Sequence, residues 1–304
     1  MTKKILLAII AVSLLLTGCG NNNNLTDTTQ HSNEKASTGT MGSSDKLTTS
    51  DSLDYSQYVK KIWQNRNATS EVSFAFSKIE NGKVTGKLNL LNNLQTDSKL
   101  PSIEVDFEGT IDKDTAECQY FDSQGNKGTL EFILKSKNKI DATIKIIDKS
   151  KKTVQPPEGT FEFAPENIKD IKGFSPIESQ SFMVNLNSWG NVKFVAGKLT
   201  GGNHVPVEFY LTNKDGDILY DFAATLPYRV DVKAVSFNDV NKDGLKDIII
   251  IVADEDDHSN CLATVYIQNT DGSFNNNLKL DQEINESGSN KDIQTVTNFL
   301  ARKF

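Results

Sequence analysis

A short acidic loop near the C-terminus holds the side chains with the clearest potential for chemistry. It runs Asp239-Val-Asn-Lys-Asp-Gly-Leu-Lys-Asp247. Its first, third and fifth positions direct oxygen atoms toward one point, a glycine permits a sharp turn, and the seventh position offers a carbonyl. Calcium prefers hard oxygen ligands of this kind. The spacing therefore predicts a calcium site whose ligands are Asp239, Asn241, Asp243, Leu245 and Asp247.

The loop is not an EF-hand, because the twelfth position, where an EF-hand has a bidentate glutamate, is Ile250. An acidic loop that runs directly into an apolar strand instead resembles the calcium loops of FG-GAP and VCBS-type repeats in bacterial surface proteins. The resemblance implies side-chain ligands at Asp239, Asn241, Asp243 and Asp247 and a backbone ligand at Leu245. Those families repeat the loop around a propeller, whereas this chain has one full copy, so we do not expect a complete propeller. A solvated hairpin without metal is the alternative.

Cys19 is a second residue with chemical potential. Lys3 and Lys4 precede an apolar run, Ile5 to Leu16, that is too short for a permanent membrane helix but suits a signal peptide. Leu16-Thr-Gly-Cys19 resembles the lipobox of bacterial lipoproteins, which implies cleavage before Cys19 and attachment of lipid to its thiol. We therefore expect an extracytoplasmic protein that is lipid-anchored to the cell membrane through Cys19. An ordinary secretory signal with an incidental cysteine is the alternative.

A second acidic run, Asp254-Glu-Asp-Asp-His258, follows the apolar strand. It could hold another cation, contact a basic partner, or form a solvated loop. The sequence contains no zinc-protease, nucleophile-elbow, P-loop or Rossmann pattern, so it predicts no catalytic residue. The leading hypothesis is a cell-surface binding or scaffold protein with structural calcium. The alternatives are a cell-envelope hydrolase that uses acids such as Asp254 and Glu255, and a carrier of lipid or small ligands through the first domain.

The net charge of the chain limits the kinds of partner that we expect it to bind. The full chain has a formal net charge of −7, and the leader contains lysines but no acidic residue, so the mature chain is more acidic still. An acidic field does not favour binding to nucleic acid. The expected partners are the membrane, through the lipid anchor, and an unidentified envelope protein or glycan.

The elements that position these residues follow from composition and periodicity. We predict a signal peptide over 1–18, a lipidated cysteine and disordered tether over 19–53, an antiparallel β-meander over 54–164, and a β-rich domain with the calcium-type loop over 165–304. The predicted fold class is mainly β. It comprises two antiparallel β domains, each a small barrel or a sandwich, with a short C-terminal helix.

Within the first domain, the spacing of Tyr55, Tyr58 and Trp63 predicts a short helix, with an aromatic edge segment as the alternative. Period-two alternation then predicts six strands between Val72 and Ile146, and Asn81-Gly82 predicts a tight hairpin. The aromatic start, this hairpin and the strand around Leu130 resemble lipocalin-like β modules of exported bacterial lipoproteins.

Within the second domain, the alternation predicts further strands around Phe194, Phe209, Tyr220 and Val265, and a C-terminal helix from Asn290 to Arg302. Asn213-Lys-Asp-Gly-Asp217 repeats only a fragment of the calcium pattern and is predicted to be a hairpin turn. Cys118 and Cys261 could pair in an exported protein or remain free as small buried side chains.

Overall fold

The computed structural model describes residues 53–66, 70–92, 103–122, 125–148, 157–201, 205–222 and 225–304. The predicted signal peptide, the lipid-modified Cys19 and the tether up to residue 52 lie outside these residues. The fold is mainly β, as the sequence predicts. No helix among the described residues is long and apolar enough to cross a membrane.

The first half is a closed antiparallel barrel whose eight strands are hydrogen-bonded in chain order. The strands are β1 (Trp63–Arg66), β2 (Ser70–Glu80), β3 (Lys83–Asn92), β4 (Ile103–Asp112), β5 (Thr115–Phe121), β6 (Lys127–Ser136), β7 (Lys139–Asp148) and β8 (Gly159–Pro165). β1 pairs with β8 and closes the barrel. The six predicted strands are β2 to β7, and the two closing strands were not predicted.

Aromatic side chains fill the barrel interior. The rings of Trp63, Phe74, Phe76 and Phe132 are at most 2% exposed. Phe74 contacts Phe76 and Phe132 at ring-centroid distances of 5.1 and 4.7 Å. Aromatic pairs at such distances add to the stabilisation from burial alone. The alternation that predicts these strands therefore reflects an aromatic core inside the barrel.

The predicted N-terminal helix is wrong. The segment forms only a three-residue 3-10 turn, Tyr55–Gln57, and Trp63 begins β1. Tyr58 and Trp63 stack with ring centroids 6.1 Å apart, and the indole N–H of Trp63 donates to the Tyr58 carbonyl. The aromatic spacing thus serves the barrel core rather than one face of a helix.

The second half is a sandwich of two antiparallel sheets. The first sheet contains β9 (Phe174–Pro176), β10 (Phe182–Leu186), β11 (Gly190–Leu199), β12 (Val207–Thr212) and β13 (Ile218–Asp221). The second sheet contains β14 (Val230–Asn238), β15 (Asp247–Asp254), β16 (Cys261–Gln268) and β17 (Phe274–Asn276). Side chains from both sheets, including Phe194, Phe209, Ile250 and Tyr266, form one core cluster between them.

Two helices cover the outer face of the second sheet, α1 (Leu278–Glu286) and α2 (Ile293–Lys303). The apolar run of β15 explains this layer, because Ile248 and Ile250 face the first sheet while Ile249 and Ile251 pack with the helices. A strand that is buried on both faces has a continuous run of apolar residues in its sequence. The predicted C-terminal helix is confirmed as α2, whereas α1 was not predicted.

Backbone hydrogen bonds join the barrel to the sandwich. The Ile62 N–H donates to the Ile218 carbonyl at 3.1 Å, the Ile218 N–H to the Glu166 carbonyl at 2.8 Å, and the Glu166 N–H to the Ile62 carbonyl at 2.7 Å. The segment before β1, the end of β8 and the start of β13 therefore meet at one junction.

Candidate functional site

The predicted calcium loop connects β14 to β15. Lys242 and Gly244 have φ angles of 65° and 85°. A positive φ is costly for most residues but not for glycine. A Cβ atom on Gly244 would meet nothing within 4 Å, so backbone conformation rather than space favours glycine at this position.

Backbone amides inside the loop donate to its acidic side chains. The Asp239 carboxylate accepts the N–H groups of Asp243 and Gly244 at 3.1 and 3.0 Å. The Asn241 amide oxygen accepts the Asp243 N–H at 3.1 Å, and the Asp243 carboxylate accepts the Leu245 N–H at 2.8 Å. These bonds curl the loop around the oxygen atoms of Asp239, Asn241 and Asp243.

Asp247 is fully buried at the start of β15. Its two carboxylate oxygens accept the N–H groups of Val240 and Gln268, each at 2.9 Å. The pKa of Asp247 is raised overall, chiefly by burial and in addition by the charges of Asp243 and Asp239. The hydrogen bonds from the two backbone amides lower it in part. The three carboxylates are therefore close enough to repel one another, and Asp247 also holds the loop to the sheet.

The chemistry of the donor set fits a hard cation. Every predicted ligand offers oxygen, and a carboxylate oxygen that accepts one N–H keeps a second lone pair. Burial is the main reason that the pKa of Asp247 is raised, and a bound cation would offset the smaller part that comes from the charges of Asp243 and Asp239. In the part of the chain that the structure describes, no three His, Cys, Asp or Glu side chains form a metal-binding group. Support for calcium thus comes from donor type and charge.

The partial motif, Asn213 to Asp217, is the turn between β12 and β13, as predicted. The Asn213 side-chain oxygen accepts the N–H groups of Asp215 and Asp217 at 2.8 and 3.0 Å. The cationic partner here is a lysine, since the Lys61 amine lies 2.9 Å from the Asp217 carboxylate. This turn therefore joins the sandwich to the barrel segment that contains Lys61.

The second acidic run has structural partners as well. The Asp254 carboxylate accepts the N–H groups of Asp256 and Asp257 at 2.8 and 3.1 Å. Glu255 lies 2.6 Å from the Lys198 amine. Asp256 accepts two hydrogen bonds from Arg229, at 2.9 and 3.1 Å. The run is therefore folded onto basic side chains of the sandwich.

Cys118 and Cys261 are both free and buried, one in the barrel and one at the start of β16. Burial raises the pKa of the Cys118 thiol to about 12.

Sequence reasoning missed the polar cluster at the junction. Asp217 accepts hydrogen bonds from the side-chain amides of Asn167 and Asn213 in addition to its ion pair with Lys61. A polar cleft of about 260 Å³ adjoins the cluster, and its lining includes Lys137, Lys169, Asp170 and Asp215. Lys61 and Asn167 are distant from Asp217 in sequence, so the local motif from Asn213 to Asp217 could not have indicated this cluster.

Comparisons with known protein families, curated proteins and solved structures found no match to this chain.

Proposed function

We propose that the protein is a lipid-anchored, extracytoplasmic binding or scaffold protein with a structural calcium site in the loop from Asp239 to Asp247. The observation that carries the proposal is that the acidic side chains of both loops have structural partners. Asp239 and Asp247 accept backbone N–H groups, and Glu255 pairs with Lys198. Carboxylates that hold loops in place suit a structural role.

The hydrolase alternative receives less support from the same contacts. Catalysis by two carboxylates needs one free to donate a proton and the other free to act as base or nucleophile. Asp254 instead accepts the two N–H groups of its own turn, and Glu255 forms an ion pair.

The carrier alternative is weakened by the barrel core. The volume that a ligand would occupy inside an eight-stranded barrel contains the rings of Trp63, Phe74, Phe76 and Phe132. Membrane attachment rests on the resemblance of Leu16 to Cys19 to a lipobox, because Cys19 lies outside the described residues.

The anchor is tested by fractionation. Cys19→Ala should release the protein from membranes or leave an uncleaved precursor, and it should abolish incorporation of labelled palmitate, since the thiol is the proposed attachment atom. Cys118→Ala is the matched control and should leave both palmitate labelling and membrane association intact. Labelling that persists in Cys19→Ala would contradict the anchor.

The scaffold assignment is tested by a substrate screen. The folded protein should not turn over peptidoglycan, polysaccharide or phosphoester substrates. Saturable hydrolysis that Asp254→Asn or Glu255→Gln eliminates, while the melting temperature is unchanged, would overturn the scaffold in favour of a hydrolase.

A further inference from the structure

A lysine amine and a cysteine thiol meet on the second sheet. Nζ of Lys233, on β14, lies 3.3 Å from Sγ of Cys261, at the start of β16. The lysine side chain therefore spans the intervening strand, β15. We propose that this pair is an oxidative modification site, at which peroxide joins Lys233 to Cys261 through a covalent bond between nitrogen and sulfur.

A β-bulge brings the amine to the thiol. The register between β14 and β15 shifts between Val232 and Ala234, which leaves Lys233 without a paired residue on β15. A bulge re-aims the side chain of the extra residue. The β15 residue opposite Cys261 is Ala253, whose single methyl group leaves room for the lysine chain to cross.

The surroundings suit a site of limited access. Cys261 packs in the apolar cluster beneath the helices with Ala253 and is 7% exposed. Its thiol also lies 3.8 Å from the His258 carbonyl oxygen, to which it can donate. Lys233 itself is exposed on the surface of the sheet. The sulfur is thus held in place beside an exposed lysine.

The chemistry takes two steps and one equivalent of peroxide. In the first, the sulfur attacks peroxide, the O–O bond breaks, an S–O bond forms, and one water leaves, which gives a sulfenic acid. In the second, the neutral Lys233 amine attacks Sγ and the S–O bond breaks. The sulfenic oxygen departs as water with one amine proton, and an S–N bond remains. Sulfur is oxidised by two electrons and peroxide is reduced by two.

Mass spectrometry tests the site directly. The full-length protein, purified from membranes, is treated with hydrogen peroxide, digested and compared with an untreated sample. We expect the peptide containing Lys233 to be joined to the peptide containing Cys261, with a combined mass lower by two hydrogens. A thiol reductant should separate the two peptides, because a sulfur–nitrogen bond is reducible.

Two comparisons make the test specific. Lys233→Arg keeps the positive charge but removes the nucleophilic amine, so the linked peptides should disappear while Cys261 still gains oxygen. Cys118 is an internal control, because a buried thiol with a pKa of about 12 is scarcely ionised and should stay unmodified at the same dose. In the unsubstituted protein, Cys261 peptides that carry only added oxygen, or a linked pair that keeps an extra oxygen, would overturn the proposal. Linkage that persists in Lys233→Arg would overturn it as well.

Discussion

At the scale of single residues, the acidic loop contains two kinds of carboxylate. Asp239 and Asp243 curl the loop through its own amides. Asp247 is buried, and besides the Val240 N–H of the loop it accepts the N–H of Gln268 on β16. The sequence could predict the loop because its pattern is local. It could not predict the tie to Gln268, because that amide belongs to another strand.

The calcium proposal gives the first residue-scale prediction. Calcium should raise the melting temperature of the protein, with the affinity of about 10⁻⁴–10⁻³ M typical of extracellular modules. Calcium at 100 times its dissociation constant should add about 2.7 kcal/mol to the free energy of unfolding. Asp243→Ala should abolish this shift, because it removes a central carboxylate.

Asp215→Ala is the matched control for this measurement. Asp215 lies in the similar turn between β12 and β13, where Lys61 supplies the positive charge, so the variant should keep most of the calcium shift. Identical melting of the unsubstituted protein in chelator and in millimolar calcium would refute the site.

At the scale of elements, side chains of α1 occupy the place of a neighbouring strand along part of β16. β17 pairs only with the end of β16, from Tyr266 to Gln268, so the earlier part of β16 has an open edge. The Asn285 side chain hydrogen-bonds to this edge as a paired strand would. Its oxygen accepts the Ala263 N–H at 2.8 Å, and its amide donates to the Ala263 carbonyl at 3.0 Å. The Asp281 carboxylate likewise accepts the Val265 N–H at 3.0 Å. Covering an edge in this way prevents pairing with other chains.

We expect Asn285→Ala to destabilise the protein by about 1–3 kcal/mol, because it leaves the buried N–H and carbonyl groups of Ala263 without partners. Amide exchange at Ala263 should accelerate in the same variant. Gln282→Ala is the control, since Gln282 lies on the same helix but its amide bonds only the exposed Glu286. Equal free energies of unfolding for the two variants, measured by denaturant titration, would show that the edge contact is unimportant.

Element prediction from sequence succeeded where one face of a strand is buried. The six strands between Val72 and Ile146 alternate cleanly, so their period is readable. β14 was missed because the bulge at Lys233 breaks the alternation. α1 was missed because it is short and two of its polar residues, Asp281 and Asn285, serve the edge of a strand. The N-terminal aromatic spacing was misread because tertiary packing around Trp63 overrides a local helical period.

At the scale of the whole molecule, a buried ion pair connects the barrel to the sandwich. The side chains of Lys61 and Asp217 are only about a tenth exposed and lie 2.9 Å apart. Removing one partner of a buried pair leaves an uncompensated charge, which typically costs about 3–5 kcal/mol. Lys61→Met should therefore destabilise the protein strongly. Lys139→Met is the control, because the ion pair of Lys139 with Glu162 is exposed and therefore contributes little to stability.

The same pair makes stability depend on pH in a definite direction. Burial alone would raise the pKa of Asp217, but hydrogen bonds from Lys61, Asn213 and Asn167 and the Lys61 charge lower it overall. A carboxyl group whose pKa is lowered by folding stabilises the protein fully above its unfolded pKa, about 3.9, and loses that contribution as pH falls through the folded value.

Asp217→Asn removes this titration. The difference in free energy of unfolding between the unsubstituted protein and Asp217→Asn should therefore be constant above about pH 5 and shrink below it. Denaturant titrations across this range measure the difference, and a gap that stayed constant under acid conditions would mean that the ion pair does not stabilise the junction.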